Sequence, residues 1–397
     1  MSTNQNFDFP RFNNGHIKGR HFNNSFVVYG SNTHKEVNRC IEPNRFTLIL
    51  FDSKIDINHV NLGFKQDLQI AVSSEPNVSE VKNIVKLLPT SPCNVVAIGG
   101  GSTMDLAKGI ICARHFPNDN RVGYDVSGDL TSRIEPAYDF LTVLPTTVGS
   151  GSEASRYFVL FHQDRKLASR AWQAVPRVTV IDPTLLSYLN SEIAKIQLFD
   201  CWSHMTEVSL SNFEYSPFNM YAVEQAKKSL MDFIKSDGKI NSVETLLDLQ
   251  VFSYIGGSAI SNTRTGALHT VGEALASQIR MPHVWSLYFS AINWKYLVKG
   301  NLRRNEKYFG QGSLNRIENT LSELDYWLKF LENSSRNLLQ LNSQEIELFN
   351  FKVFEQAVLS DKVLWSKEHP VELQEVDISK YLVKTVNEIK NFKGKQK

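Results

Sequence analysis

Asp200 and His204 stand four residues apart in Phe199-Asp200-Cys201-Trp202-Ser203-His204, and His269 and His283 follow in the same half of the chain. On a helix an i,i+4 pair projects from one face about one turn apart, so this carboxylate and imidazole are placed to share an ion. His269 and His283 are fourteen residues apart, which along one unbroken helix at about 1.5 Å per residue separates them by roughly 21 Å. Pro282 removes that obstacle, because it breaks a helical run just before His283 and lets the chain fold back. Three imidazoles and one carboxylate suit Fe(II), Zn(II) or a similar ion, and they exclude the oxygen cage of Ca²⁺ or Mg²⁺. Each histidine alone reads better as a packed or capping residue. The set reads as a divalent-metal site with coordination positions left for a substrate oxygen.

A second stretch could bind an anion. The strand-like Asn94-Val95-Val96-Ala97-Ile98 runs into Gly99-Gly100-Gly101-Ser102 and then into the helix-like Met104-Asp105-Leu106-Ala107-Lys108. Glycines let the backbone approach a phosphate closely, and the N–H groups and dipole of a new helix favour negative charge. The same residues also read as a tight connection with Ser102 as an N-cap. The strand before and the helix after weigh toward phosphate. The run is neither the G-x-G-x-x-G fingerprint nor a Walker loop.

Asp52 closes the apolar run Thr47 to Phe51, where a carboxylate accepts hydrogen bonds from a ribose diol and repels a 2′-phosphate, favouring NAD over NADP. A polar turn residue is the plain alternative there. Pro145-Thr146-Thr147-Val148-Gly149-Ser150-Gly151-Ser152-Glu153 follows another strand and concentrates hydroxyls and flexible backbone one α/β unit beyond the glycine turn.

The elements that must position these residues fall into two groups. Short β-branched or aromatic runs (Phe26 to Tyr29, Phe46 to Phe51, Asn94 to Ile98, Phe140 to Leu144, Val178 to Ile181) alternate with helical spacing in Val78 to Leu88 and Met104 to His115. That alternation predicts an α/β unit with a doubly wound, mostly parallel sheet, which binds ligands beyond the carboxyl ends of its strands. After Asp182-Pro183 helical periodicity dominates, in Met220 to Lys235, Val243 to Tyr254, Arg316 to Leu331 and Val353 to Trp365. We expect a polar extension over 1–25, a nucleotide-binding α/β domain over 26–190, an all-α domain over 191–397, and a frayed, solvated end at Lys390 to Lys397.

At 397 residues the chain is long enough for two cores. A formal net charge of +2, with no basic run interleaved with aromatics, excludes a nucleic-acid footprint and favours a small-molecule substrate. Cys40, Cys93, Cys112 and Cys201 form no C-x-x-C pair and no disulfide framework, which fits a reducing cytoplasm. No apolar run has the roughly 18 to 20 residues of a membrane span, and the Asn-rich N-terminus lacks the apolar core of a secretory signal.

GGGSTMDLAKGI, LPTTVGSGSEAS, VTVIDPTLL, the D-x-x-x-H at Asp200 and His204, and His269 with Pro282-His283 together resemble the iron-containing (group III) alcohol dehydrogenase family. The resemblance implies an NAD-binding α/β domain, a helical metal-binding domain, and a cleft where nicotinamide meets a metal-bound alcohol or aldehyde. It implies Asp200, His204, His269 and His283 as ligands, and Gly100, Gly101 and Ser102 as the pyrophosphate cradle. Thr146, Thr147 and Ser150 would line the cofactor path, Asp52 would hold the ribose, and Asp105 and Lys166 join the cofactor-binding set. A homodimer in the cytoplasm is expected.

The chain departs from the family pattern at Glu273, where many members carry a proton-relaying histidine. It departs again at Val284-Trp285, where glycine usually follows the fourth ligand, and at Cys201, Trp202 and Ser203, where small residues are usual. Trp202, Glu273 and Trp285 are therefore read as the carriers of substrate choice, with Glu273 as a replacement relay or a plain surface carboxylate. Arg156, and Arg264 after it, could pair with an anionic substrate or a cofactor phosphate. The reading is an NAD-linked dehydrogenase or aldehyde reductase for a small polar alcohol or aldehyde, such as a polyol, sugar acid or phosphonate aldehyde. The rival readings are a sugar-phosphate cyclase resembling dehydroquinate synthase and a catalytically silent relative.

Overall fold

The computed structural model describes residues 25–395 except 65, 74, 118–127, 130–136, 163–164, 187–188, 211–216, 280, 306–310, 339–340, 342 and 361–374. The expected extension thus lies, but for Ser25, outside the described residues. Strands β1 (Phe26–Tyr29), β2 (Phe46–Asp52), β3 (Leu68–Val72), β4 (Cys93–Gly99), β6 (Phe140–Pro145) and β9 (Val178–Ile181) form one six-stranded sheet in the order β1-β9-β6-β4-β2-β3. Its described pairings are parallel. The central strand β4 is buried along its whole length, which is why Asn94 to Ile98 reads as a continuous apolar run and not an alternating one.

Helices α1 (Val78–Leu87) and α2 (Gly101–His115) cover one face. Helix α1 starts at a capping box, Asn77 and Glu80 each bonding the other's backbone N–H. The opposite face is covered by a short 3₁₀ turn, Thr33–Arg39, and by residues 55–64. Four strands were not anticipated. The edge strand β3 is half-exposed, so its sequence lacks the strong signal of the interior strands. Strands β7 (Tyr157–His162) and β8 (Arg165–Arg170) pair antiparallel, with the two-residue β5 (Gly128–Asp129) beside β8, in a separate small sheet.

Beyond Ile181 the regular elements are helical, as expected: α3 (Ser191–Leu210), α4 (Pro217–Lys235), α5 (Val243–Asn262), α6 (Ala267–Ala276), α7 (His283–Asn305), α8 (Gln311–Leu338), α9 (Ser343–Leu348), α10 (Phe351–Leu359) and α11 (Glu375–Lys395). They share one core, with Phe199, Trp202, Phe289, Trp327 and Phe354 among its fully buried side chains. Several boundaries differ from expectation. The helix foreseen as Val353 to Trp365 ends at Leu359, and 361–374 are not described. The lysine-rich end belongs to α11, which runs to Lys395 because Ile378, Tyr381, Leu382 and Ile389 anchor it in the core.

One face of α5 joins the two halves. Gln250 Nε2 donates to Pro145 O (3.2 Å), Ser253 Oγ accepts from the N–H groups of Gly149 (3.0 Å) and Gly151 (3.2 Å), and Arg156 N–H donates to Ser261 Oγ (3.0 Å). Between them Gly257 crosses Gly151 so closely that a Cβ on Gly257 would stand 1.9 Å from the Gly151 carbonyl oxygen. Gly151 itself has φ +63°, in the region glycine alone enters freely. The neighbouring Gly256 turns to α3, where a Cβ would meet Cys201 Sγ at 3.3 Å. Helix α5 is therefore the layer between the 145–156 loop and the helix that carries Asp200.

Candidate metal centre and nucleotide cleft

Asp200 and His204 lie on one face of α3, His269 in the first turn of α6, and His283 at the first position of α7. The break between α6 and α7 that Pro282 suggested is present, and it turns His283 back toward His269. Three imidazole Nε2 atoms meet a single carboxylate oxygen: Asp200 Oδ1 is 3.2 Å from His269, 3.5 Å from His204 and 3.8 Å from His283. Donor atoms of Asp200, His269 and His283 all lie within 4.8 Å of one another, and the His204 ring stacks on His269 at 4.6 Å between centroids.

Asp200, His204 and His269 are buried, while the His283 side chain keeps 34% of its exposure and marks the open side. Burial lowers the His204 pKa to about 4 and also pushes His283 down, so both rings present neutral lone pairs. Burial by itself would raise Asp200, but His204, His283 and His269 outweigh it and hold the carboxylate below its ordinary range. Burial likewise opposes charge on His269, yet Glu207 and Asp200 on either side lift it to about 10. The site therefore draws positive charge to the point where the four side chains converge. A divalent cation meets that demand with a donor set of three nitrogens and one oxygen, and these residues fit one.

Glu207 was missed. It follows His204 by three residues on the same helix face, a signal present in the sequence, and its Oε2 accepts from His269 Nδ1 at 2.6 Å. The opposite face of α3 explains Trp202, while Cys201 is turned to α5. Trp202 is fully buried against Phe199 and Trp327, and its indole N–H donates to Glu323 at 2.9 Å. Trp285 is 3% exposed and packs edge-on against Tyr288. Both tryptophans are core residues, which corrects the expectation that they carry substrate choice. Glu273 stands one turn after His269 and is electrostatically coupled to Lys166 on β8. The Lys166 charge also reaches His283.

The glycine turn lies at the carboxyl end of β4, with β2 and β6 on either side. Helix α2 starts at Gly101, earlier than the periodicity suggested, and its N-cap Gly100 carries no capping side chain. A Cβ on Gly100 would meet Thr147 Oγ1 at 3.1 Å, on Gly101 Ser150 Oγ at 3.2 Å, and on Gly99 Thr103 Oγ1 at 2.4 Å and Asp52 Cβ at 3.2 Å. Thr146 N–H donates to Gly99 O at 3.0 Å. Asp52, Gly100, Gly101, Ser102, Thr146, Thr147 and Ser150 are thus gathered at one sheet edge. It is a bare helix N-terminus rimmed by hydroxyls, and it fits a pyrophosphate.

Three residues sit elsewhere. Both Asp105 oxygens are engaged within the chain, accepting from Ser152 Oγ (2.8 Å) and Val159 N–H (3.0 Å). With fully buried Lys108, which donates to Ser152 Oγ (2.7 Å) and Tyr157 O (2.8 Å), Asp105 braces α2 against β7 in place of the expected cofactor contact. Arg156 is buried with its guanidinium stacked on Trp172 (4.2 Å) and near Tyr157 (5.6 Å), at the joint with α5. Arg264 lies in the link between α5 and α6.

Residues 24–183 match the family described as iron-containing alcohol dehydrogenase. Over that span the chain is similar to the iron-containing alcohol dehydrogenases. It is 32% identical over 152 residues to 4-hydroxybutyrate dehydrogenase of Cupriavidus necator, covering 37% of this chain and 40% of the relative. It is 25% identical over 261 residues to 1,3-propanediol dehydrogenase of Citrobacter freundii, covering 64% and 65%. The chain thus spans about half the length of the curated relatives it matches. The solved structure of sulfoacetaldehyde reductase from Bifidobacterium kashiwanohense in complex with NAD⁺ superposes over 94% of this chain and 99% of its own, with TM-score 0.74 and 16% identity, a likeness of fold. The likeness of fold therefore extends beyond the span over which the sequence matches the family.

Proposed function

We propose that this protein is a metal-dependent, NAD-linked alcohol dehydrogenase or aldehyde reductase of the iron-containing alcohol dehydrogenase family. One observation carries the reading: three imidazole nitrogens converge on one Asp200 oxygen, on helices docked through α5 against the loop that borders the glycine turn. When bound, a divalent ion at Asp200, His204, His269 and His283 supplies Lewis acidity, and NAD supplies the hydride acceptor.

The chain's own residues do the rest. The first turn of α2 receives the pyrophosphate, Thr146, Thr147 and Ser150 line its path, and Asp52 takes the ribose and disfavours a 2′-phosphate. The α5 joint holds that cleft at a set distance from α3. Glu273, beside Lys166 and one turn from His269, takes the alcohol proton that the family's usual histidine relays elsewhere.

The substrate is a small polar alcohol or aldehyde, and an anionic one is favoured by the names of two relatives, 4-hydroxybutyrate dehydrogenase and sulfoacetaldehyde reductase. Lys166, expected among the cofactor contacts, is assigned instead to such a group, because its charge acts on His283 on the open side of the site. The test is a panel of polyols, hydroxy acids, sugar acids and sulfo- or phosphono-aldehydes with NAD(H), after loading with Fe(II) or Zn(II) and following NADH absorbance. Turnover that consumes or forms NADH supports the reading. Product without net NADH change indicates the cyclase, and neither metal uptake nor NAD binding indicates a silent relative.

A further inference from the structure

We propose that Glu207 is a positioning residue for His269, holding the imidazole in the tautomer and orientation that turn Nε2 toward Asp200. The inference rests on the metal reading above and deepens it. Glu207 is buried on α3, one turn beyond His204, and uses its two oxygens differently. Oε2 lies 2.6 Å from His269 Nδ1, and Oε1 accepts the backbone N–H of Leu268 at 2.8 Å. An ionised carboxylate only accepts, so Nδ1 keeps its proton, and the Nε2 lone pair would face the centre once a cation takes the place of the Nε2 proton.

The surroundings allow little freedom. A Cβ on Gly266 would stand 2.9 Å from Oε1, so the N-cap glycine of α6 leaves the space that the carboxylate fills. The Leu268 carbonyl is held from the other side by Ser290 Oγ (2.8 Å), which is itself 2.6 Å from the Tyr381 hydroxyl. The backbone on either side of His269 is thereby tied to α3, α7 and α11, and its ring orientation is left to Glu207.

Glutamine in this position cannot serve both partners. With its oxygen on Leu268 N–H, its NH₂ faces Nδ1, which must then accept, and the ring proton moves to Nε2, where it occupies the lone pair that faces Asp200. Turned the other way, the NH₂ meets the Leu268 N–H and the first turn of α6 loses its acceptor.

The experiment measures Zn(II) affinity by competition with a chromophoric chelator for the parent, Glu207→Gln and Glu207→Asp, with far-UV circular dichroism of each metal-free chain. Glu207→Gln is expected to bind Zn(II) about 10- to 100-fold more weakly, and Glu207→Asp to recover part of the loss. The visible bands of the Co(II)-loaded site should shift in the Gln variant, which a purely structural role would not produce. A folded Glu207→Gln chain with the parent's affinity and Co(II) spectrum overturns the inference alone. A parent that takes up no divalent ion overturns the metal reading and this inference with it. Should Glu207→Gln fail to fold, the Zn(II)-loaded parent still decides: a downfield, slowly exchanging imidazole Nδ1 proton is expected, and its absence overturns the proposal.

Discussion

Asp200 is the residue on which the centre depends, because the three Nε2 atoms of the set all lie within 3.8 Å of the same oxygen. Asp200→Ala leaves three histidines converging on a buried space without the charge that offsets a dication. Loss of metal uptake at micromolar free Zn(II), read by elemental analysis, is the expected outcome. Glu273→Gln keeps the size and removes the proton acceptor; a fall in kcat of about 10²-fold with KM little changed is expected for a lost general base. An unchanged rate and pH profile would return Glu273 to the role of a plain helix carboxylate. Buried Lys108 offers a test on the other side of the joint. Burial lowers its pKa to about 8, against 10.5 when unfolded. Below about pH 8 both states are protonated and the cost of a buried charge is fully present. Between about 8 and 10.5 the folded chain has lost the proton and the unfolded chain has not, so the contribution to stability rises with pH, by at most about 1.4 kcal/mol per unit. The Tm of the parent minus that of Lys108→Met should be flat from pH 6 to 7.5 and climb toward pH 10.

At the scale of elements, α5 determines how the two halves meet. Its positions 250, 253, 257 and 261 face the 145–156 loop, and Gly256 faces α3. A methyl on Gly257 would stand 1.9 Å from a backbone oxygen that has no rotamer by which to move aside. Gly257→Ala is therefore expected to destabilise the chain by about 3 kcal/mol, the upper end of ordinary overpacking, and to weaken NAD binding. Gly256→Ala meets a sulfur at 3.3 Å and should cost well under half as much. Chemical denaturation of the two variants side by side checks the ranking.

For the whole molecule, the proposed ligands come from α3, α6 and α7, and an ion that binds all three favours the folded state alone. At a hundredfold excess over its dissociation constant the ion adds about 2.7 kcal/mol. Tm should rise with added Zn(II) or Fe(II) and fall back with a chelator. In Glu207→Gln the same rise should need a higher metal concentration. No described helix is long and apolar enough to cross a membrane.

Much of this was legible in the chain itself, for a physical reason. Asp200 and His204 share a helix face because of their spacing, Pro282 is disfavoured inside a helix and tolerated at its start, where it opens α7, and Val95 to Ile98 followed by three glycines makes a strand that turns into a helix. These are local rules, fulfilled within a few residues. The half-exposed β3 and the β7–β8 hairpin escaped because strands of that kind take their stability from partners distant in sequence. Trp202 and Trp285 looked like substrate-facing departures, yet which face of a helix meets a ligand depends on what packs against the other face, and Phe199, Trp327 and Tyr288 claim them for the core. Arg156 was drawn onto Trp172 in the same way, and Asp105 into the brace with Ser152. Sequence alone determined the kinds of side chain available and the helix or turn that each would occupy. Only the packing of α3, α6 and α7 decided that three nitrogens meet one oxygen and that Glu207 stands behind His269, because those distances are set by helix-to-helix contact and by no spacing along the chain.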